Sequence, residues 1–493
     1  MAGIGFELKK LFNDKSASGY VKAYSYSAIV TAGPFALMTG MVLAIQLMFR
    51  LYEVDYTELQ LYTASVIYPF VFSNIVASGF VLVITRYLAD QLYTGNYRDI
   101  IASLYGILSI VLAVGAVLAG AFLWDKPLDL ITKLCTYTFY LELLIIWIQG
   151  TYLTAVKDYR GLLYTYAGGV GLSILLTFLV IKTQIMAPAT GAMLAMNIGD
   201  ACIIMMFFFY IRRYFGGRAS GRNFLFLPYF EQHKRLFGIG LFYILSVYLP
   251  NFIIWQGTFA VDVVSTYTYA PMYDVATFYA FLSIVPVMMM FVVSMELHFY
   301  EKYAAYFSYI TDKGNFKEIE DAREDLLHAV WFELRNIMEF QLVFTLIFLA
   351  LGNYFLPLAG LSYASLDLYN LIVLGAFFTG IVQVVYTLLL YFEDQFGVLL
   401  IVGVFFAANV VFGLLGFFWG EQTYGFTFFL AAALAFLVSL WRLDYFCRRI
   451  NYYVFCSRPV FFRPPSGPLA RITAWLYEDG DHECQPEVHG PGA

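Results

Sequence analysis

Residues 396–418 read FGVLLIVGVFFAANVVFGLLGFF, a run of 23 residues without one charged side chain. A helix needs about 20 mostly apolar residues to cross the hydrocarbon core of a bilayer. The backbone finds no water to bond with in that core, so a continuous apolar run of this length favours a helix. The stretch therefore predicts a helix that spans a membrane.

The rest of the chain has the same character. Of its 493 residues, 61% are hydrophobic and only 13% are charged, and the mean hydropathy is +0.71. Soluble domains are about 25% charged, and disordered chains are poor in apolar residues, so both classes are excluded. The five cysteines form no CxxC pair, and no P-loop or GxSxG motif occurs. We predict a protein that is not an enzyme and has no cofactor, no metal site and no nucleic-acid partner.

Twelve apolar runs follow one another, which predicts an all-α polytopic membrane protein. Their approximate limits are 24–49, 62–85, 100–123, 134–156, 161–181, 188–211, 236–260, 271–299, 336–358, 367–391, 396–418 and 423–446. A β-barrel would instead show alternating segments of about ten residues. A polar stretch, Arg212 to Arg235, is the longest loop between the two groups of six. The twelve helices are therefore predicted to form two six-helix lobes.

The distribution of basic residues predicts the orientation. All but four of the 29 Lys and Arg residues fall on the side that holds both termini. The four exceptions are Arg50, Lys126, Lys133 and Lys182. Because Lys and Arg concentrate in cytoplasmic loops, we expect both termini to be cytoplasmic.

The chain is divided accordingly into an N-lobe, a basic cytoplasmic loop, a C-lobe and a cytoplasmic tail. These are residues 1–211 (spans 1 to 6), 212–235, 236–446 (spans 7 to 12) and 447–493. Met1–Phe12 has apolar residues at helical spacing, which favours an interfacial helix over a simple leader. The cytoplasmic loop 300–335 is charged and amphipathic. Together with the basic loop it is predicted to dock a cytosolic partner; the alternative is a solvated helix leading into span 9.

The two halves share a faint repeat. Ile67 and Pro69 in span 2 recur as Ile284 and Pro286 in span 8. Both halves begin on the same side, so the repeat would be parallel, with its axis along the membrane normal. In transporters built this way the substrate path runs between the halves.

Ionisable and amide side chains inside the apolar runs are the candidate functional residues, because each is costly in a bilayer. Asp200 lies midway along span 6, with Asn197 one helical turn earlier on the same face. Glu142 lies in span 4, with Gln149 seven residues later on the same face. Glu296 lies in the inner third of span 8. We predict that these five line a transport lumen; buried packing roles, or snorkelling in the case of Glu296, are the alternatives.

Aromatic side chains are abundant, with 49 Phe, 40 Tyr and 7 Trp. Tyrosine can stack on the apolar face of a sugar ring and bond its hydroxyls, so some of these residues could line a sugar path. Interface belts and lipid-facing surface account for most of them.

Several segments resemble one known family. The segments are MAGIGFELKKLF (1–12), AYSYSAIVTAGPFAL (23–37), TRYLADQLYTGN (85–96), VKDYRGLLYTYAGG (156–169) and NYYVFCSRP (451–459). They are similar to the PelG family of Pel exopolysaccharide membrane proteins. The resemblance covers residues 1–460, and the first segment is its most specific part.

The resemblance implies a fold and a function. The family belongs to the MOP flippases and exporters, which include O-antigen flippases, MATE-like multidrug antiporters and lipid II flippases. Their twelve helices form two six-helix lobes around a central cavity. The implied role is to carry Pel polysaccharide, rich in N-acetylgalactosamine and galactosamine, across the cytoplasmic membrane for the biofilm matrix. The implied partners are the polysaccharide, the lipid bilayer, a cytosolic glycosyltransferase and accessory membrane proteins that include a cyclic-di-GMP receptor.

Two other functions stay open at this point. An ion-coupled flippase or antiporter of lipid-linked or small amphipathic substrates would use Asp200 as a coupling carboxylate. A non-transporting scaffold would anchor the polysaccharide synthase and would have no use for a lumen.

Overall fold

A computed structural model of the chain describes residues 17–156, 159–217, 219–311, 314–358, 360–456 and 466–477, without the side chains of 17–31, 155–160, 296 and 297. The predicted surface helix Met1–Phe12 lies outside the described residues. Within them, twelve helices are long and apolar enough to cross a membrane. The predicted all-α polytopic architecture with twelve spans is therefore confirmed.

The first half of the chain consists of spans 1 to 6. Their bounds are Ala17–Leu51, Tyr56–Thr94, Tyr97–Leu123, Leu130–Val156, Tyr159–Thr183 and Pro188–Phe215. The side on which span 1 begins and every even-numbered span ends is called the basic side, and the other the opposite side. A linker then crosses the basic side to span 7 and contains the short helix Leu227–Gln232.

The second half consists of spans 7 to 12. Their bounds are Lys234–Ile254, Pro271–Ser294, Phe316–Leu358, Tyr363–Tyr391, Gln395–Trp419 and Tyr424–Arg448. Span 8 changes geometry at a 3-10 turn, Leu282–Ile284, just before Pro286, because proline has no N–H for the helix ladder. Further helices on the basic side are Tyr300–Thr311, Ile450–Phe455 and Pro468–Tyr477.

Some helices extend well beyond the apolar runs. Span 2 has 39 residues and span 9 has 43. Span 9 begins at a reciprocal cap, in which the Asn315 N–H donates to Glu318 Oε2 and the Glu318 N–H donates to Asn315 Oδ1, both at 2.9 Å. The amphipathic segment predicted after residue 315 is therefore one continuous helix with span 9.

A β-hairpin, which the sequence analysis missed, joins spans 7 and 8 on the opposite side. Strands β1 (Val261–Val263) and β2 (Tyr267–Tyr269) pair antiparallel. Val264 and Ser265 in the turn have φ of 53° and 47°, as a tight hairpin turn of the I′ type requires. A branched valine is a poor choice for that conformation, so the turn carries no sequence signal.

Helix packing repeats between the halves. Spans 1 and 5, 2 and 4, 3 and 4, 4 and 6, and 5 and 6 pack together, and so do their counterparts six spans later. Between the halves, span 2 packs on span 7 and span 1 on span 8. This pattern is the one expected of a parallel repeat whose axis runs along the membrane normal.

A buried ion pair fixes the turn between spans 10 and 11. The Arg442 guanidinium donates to both oxygens of Asp394 at 2.8 Å, and the two side chains are only 7% and 4% exposed. Asp394 also caps span 11 by accepting from the Gly397 N–H at 3.1 Å. A two-pronged contact with an additional hydrogen bond is the geometry that offsets the desolvation of two buried charges.

We expect Arg442→Met to lower the free energy of unfolding by about 3–5 kcal/mol, because it leaves the Asp394 carboxylate buried without its cation. Arg448→Met is the matched control, since the Arg448–Asp444 pair on the same span is solvent-exposed and worth at most about 1 kcal/mol. Thermal unfolding of both variants in one detergent measures the difference. Equal losses would contradict a structural role for the buried pair.

Candidate functional site

Four of the five predicted site residues come together between spans 4 and 6. Asn197 Nδ2 donates to Thr138 Oγ1 at 2.7 Å and to the Cys135 carbonyl at 3.0 Å. Gln149 Nε2 donates to the Ile204 carbonyl at 3.3 Å. The seven-residue spacing from Glu142 to Gln149 keeps both on the face of span 4 that meets span 6. These polar groups form a ladder along two helices that run in the same direction.

The Asp200 carboxylate lies in the middle of this ladder. Its side chain is 1% exposed, and neither of its oxygens has a hydrogen-bond partner among the described residues. Asp200 interacts electrostatically with half-buried Glu142 and with Tyr166 of span 5. An ionised, unpaired carboxylate buried in this way is costly, so the site favours a bound proton or another positive partner.

All the unpaired atoms in the ladder are acceptors. They are Glu142 Oε2, Gln149 Oε1, Asn197 Oδ1 and both Asp200 oxygens. The amide nitrogens of Gln149 and Asn197, in contrast, donate to protein oxygens. A proton, a water molecule or a small cation would satisfy these acceptors.

Glu296, the fifth predicted residue, belongs to the other half. It lies in a π-helical turn, Met295–Phe299, at the basic end of span 8, and its side chain lies outside the described residues. A buried carboxylate that the sequence analysis missed lies close by in span 9. Glu333 accepts from Ser294 Oγ at 2.7 Å and pairs with His298 Nδ1 at 2.9 Å. The sequence feature that could have identified Glu333 is its position near the start of the apolar run of span 9.

A second set of polar groups, the seam, follows span 7 where it meets span 2 of the first half and span 10 of the second half. The seam comprises Asn74 of span 2, Tyr243 and Tyr248 of span 7, and Gln383 and Tyr386 of span 10. Asn74 Nδ2 donates to the Tyr248 hydroxyl at 3.3 Å, and the Tyr243 hydroxyl donates to Gln383 Oε1 at 3.2 Å. All five side chains are half-buried. Tyrosine rings beside amides can stack on a sugar ring and bond its hydroxyls.

On the opposite side, span 2 is bound to the hairpin of the second half. The Tyr68 hydroxyl donates to the Thr268 carbonyl at 2.6 Å and accepts from the Thr268 N–H at 2.9 Å. The Tyr68 ring stacks on Trp255 at 5.1 Å. Asp274 fixes that region by accepting from Trp255 Nε1 at 3.0 Å and from Asn251 Nδ2 at 2.7 Å. This set of contacts is called the opposite-side latch.

On the basic side, span 2 is bound to the turn between spans 10 and 11. Arg86 donates to Glu393 Oε1 at 2.7 Å, and both side chains are 37% exposed. Close by, His233 bonds Gln395 at 3.3 Å. Burial and then the neighbouring Arg86 charge lower the pKa of His233, so its ring is neutral at neutral pH. This set of contacts is called the basic-side latch.

Comparison with known families identifies the chain. The family model "PelG: Putative exopolysaccharide Exporter (EPS-E)" matches residues 1–455. The chain belongs to the PelG family. It is a membrane transporter and not an enzyme, as predicted. No curated protein sequence gave a significant match.

Solved structures of MATE and MOP transporters share the fold. The Vibrio cholerae MATE transporter VcmN in the bent form is 13% identical, with a TM-score of 0.56 over 91% of this chain and 99% of that one. An outward-facing multidrug resistance MATE transporter of the MOP superfamily is 13% identical, with a TM-score of 0.50 over 86% and 96%. A Pyrococcus furiosus MOP superfamily transporter also gives 13% and 0.50, over 87% and 96%. At such identities the likeness shows the fold alone.

We expect Asp200→Asn to leave the unfolding temperature unchanged or to raise it, because the native carboxylate oxygens accept no hydrogen bond from the described residues that could be lost. Asn197→Leu, one turn away, breaks two hydrogen bonds and should lower the free energy of unfolding by about 1–2 kcal/mol. Thermal unfolding of the purified variants compares them. If Asp200→Asn is the more destabilising change, the carboxylate is part of the packing and not of a functional site.

Proposed function

We propose that this PelG-family protein carries a Pel-type polysaccharide, rich in N-acetylgalactosamine and galactosamine, across the cytoplasmic membrane. A cytosolic glycosyltransferase extends the chain as it is moved, and the product enters the biofilm matrix. Membership of an exporter family, together with the transporter fold, supports this function. Both termini are cytoplasmic in this proposal, so the basic side is the side on which the polymer enters.

The accessory proteins of the complex include a cyclic-di-GMP receptor. The docking surface for the synthase is formed by the linker 212–235 and by the helical extension within 300–335. Both lie on the basic side, where the growing chain would be handed over. The exposed charges of the extension, such as Glu318, Asp321 and Glu324, are suited to contact a soluble protein.

The polar side chains of the seam are the observation on which the proposal rests. The two sets of six spans act as two lobes, residues 1–211 and 236–446, and the polymer passes between them. In the seam, two tyrosines lie beside amides, so stacking on a pyranose ring and hydrogen bonding to its hydroxyls are both available. Stacking on tyrosine tolerates sliding from one ring to the next, since it fixes no single hydroxyl.

The two latches would close the path at either end. A polymer on its way through requires the basic-side latch to open first, so that a ring can enter. Arg86 and Glu393 are more than a third exposed and therefore weakly paired. The opposite-side latch is packed under the fully buried Tyr267 ring and is the harder one to open.

The acceptor ladder favours ion coupling as a second candidate. Asp200 and Glu142 can take up a proton or a cation when the seam is open to one side and release it when the seam is open to the other. An antiporter of lipid-linked or amphipathic substrates would use the same pair. The scaffold alternative makes no use of either the ladder or the seam.

To test export, Asn74→Trp fills the seam with a bulky ring in cells that lack the native gene. We expect secreted hexosamine polymer to fall by at least about tenfold, which corresponds to a barrier only about 1.4 kcal/mol higher. Val117→Trp is the matched control, because that side chain of span 3 is 71% exposed on the outer surface of the helix bundle. Polymer is measured inside and outside the cells, with the membrane level of each variant checked.

The outcomes separate the alternatives. Polymer trapped inside the cells supports export through the seam. Normal secretion by Asn74→Trp, alongside none in the deletion strain, supports a scaffold and contradicts export by this chain. If Asp200→Asn abolishes gradient-driven uptake of a small amphipathic substrate into vesicles while polymer output is normal, the antiporter is the correct assignment.

A cysteine in place of Asn74 reports which latch is open, since position 74 lies between Tyr68 and Arg86 on span 2. We expect Glu393→Gln to raise labelling by a membrane-impermeant maleimide from the basic side about fivefold, the factor for losing an exposed ion pair of about 1 kcal/mol. Tyr68→Phe should raise labelling only from the opposite side. All variants are built with the native cysteines replaced by serine.

Glu339→Gln is the control, because it removes another exposed ion-pairing carboxylate, which pairs with Arg335 on its own helix. It should change labelling from neither side. Equal increases on both sides after Glu393→Gln would mean that the protein has loosened as a whole. No change with either latch variant would remove the latches from the transport cycle.

A further inference from the structure

The helix Pro468–Tyr477 in the tail lies beyond residue 455, where the family match ends. It is attached at both ends to the linker that joins the two halves. The Leu469 N–H donates to Glu231 Oε1 at 2.5 Å, which caps the start of the helix. At its other end, the Tyr477 hydroxyl accepts from the Phe224 N–H at 2.9 Å. The tail helix therefore lies along residues 224–231 and braces them.

One exposed face of this helix, to the side of its contact with the linker, is apolar. Its inward face is formed by Leu469, Thr473 and Tyr477, which are spaced by one turn. On this apolar face, Ile472, Trp475 and Leu476 are 46%, 77% and 42% exposed. At about 100° per residue these three side chains fall within an arc of about 100°. A helix surrounded by water would carry polar residues on that face.

The linker lies at the level where span 2 leaves the hydrocarbon. Residues 71–85 of span 2 carry no charge, and Arg86 follows directly. Phe230 of the linker packs on Phe80 with ring centroids 5.7 Å apart, and Tyr229 packs on Tyr87 at 5.0 Å. The tail helix, which lies against this part of the linker, is therefore at the height of the membrane surface.

The composition of the helix itself suits a membrane surface. Arg471 is the only charged residue of the helix. Arg458 and Arg463 precede the helix in the sequence, and Glu478, Asp479, Asp481 and Glu483 follow it. Tryptophan and arginine are both favoured at the boundary between headgroups and acyl chains.

We propose that Pro468–Tyr477 is an interfacial helix that inserts Ile472, Trp475 and Leu476 into the bilayer surface and ties the linker between the halves to the membrane. The occupant of its exposed face is therefore lipid. The proposal does not depend on the identity of the transported substrate, since it concerns only the position of this helix.

The test uses the full-length protein in vesicles of phosphatidylethanolamine and phosphatidylglycerol, with the native cysteines replaced by serine. A single environment-sensitive fluorophore is attached through Leu476→Cys. Ala474→Cys is the matched control, because Ala474 is exposed on a different face of the same helix. We expect lipids with a nitroxide near the top of the acyl chain to quench the label at 476, and aqueous iodide to quench the label at 474.

Two results would overturn the proposal. Quenching by iodide at 476 as strong as at 474 would place that face in water. Protection of position 476 from both quenchers would mean that protein, such as a second copy of the chain, covers it. Neither result depends on transport, so failure of this proposal is distinguishable from failure of the export function.

Discussion

Span 2 makes polar contacts with the second half of the chain at three levels of the membrane. It contacts the second half through Tyr68 on the opposite side, through Asn74 in the seam and through Arg86 on the basic side. Polar contacts in a low-dielectric interior are strong when made and costly when left unmade. These few polar groups on one helix therefore constrain how the halves pack, together with the apolar contacts of span 2 on span 7 and of span 1 on span 8.

The architecture was largely predictable, because hydrocarbon leaves the backbone no alternative to a helix wherever the apolar run is long enough. The ends of the individual helices were not predictable. Span 9 continues outward to the cap at Asn315 and Glu318, since helical hydrogen bonds persist in water once a side chain closes the end. The hairpin was missed because Val264 is unsuited to its turn and because Tyr68, 200 residues away in the sequence, stabilises β2.

The candidate site was predictable in part. Spacings of three and seven residues placed Asn197 with Asp200 and Glu142 with Gln149, because helical periodicity is a property of the sequence. Spans 4 and 6 also have to pack against each other to bring these pairs together. The spacing of residues within one helix does not predict which helices will be neighbours. Tyr243 and Tyr248 were missed for a related reason: they differ in no local feature from the rest of the 40 tyrosines, and only their hydrogen-bond partners on other spans distinguish them.

Span 9 is one uninterrupted helix that is much longer than the membrane is thick. Its 43 residues measure about 64 Å, whereas the hydrocarbon core is about 30 Å thick. Half of the rod therefore stands free of the membrane, braced against Tyr300–Thr311 by the Lys302–Asp325 contact at 2.6 Å. A tilt of about 10° inside the bilayer displaces the far end of such a rod by about 6 Å. Mechanical work applied at that end by an attached protein would reach the membrane without passing through any loop.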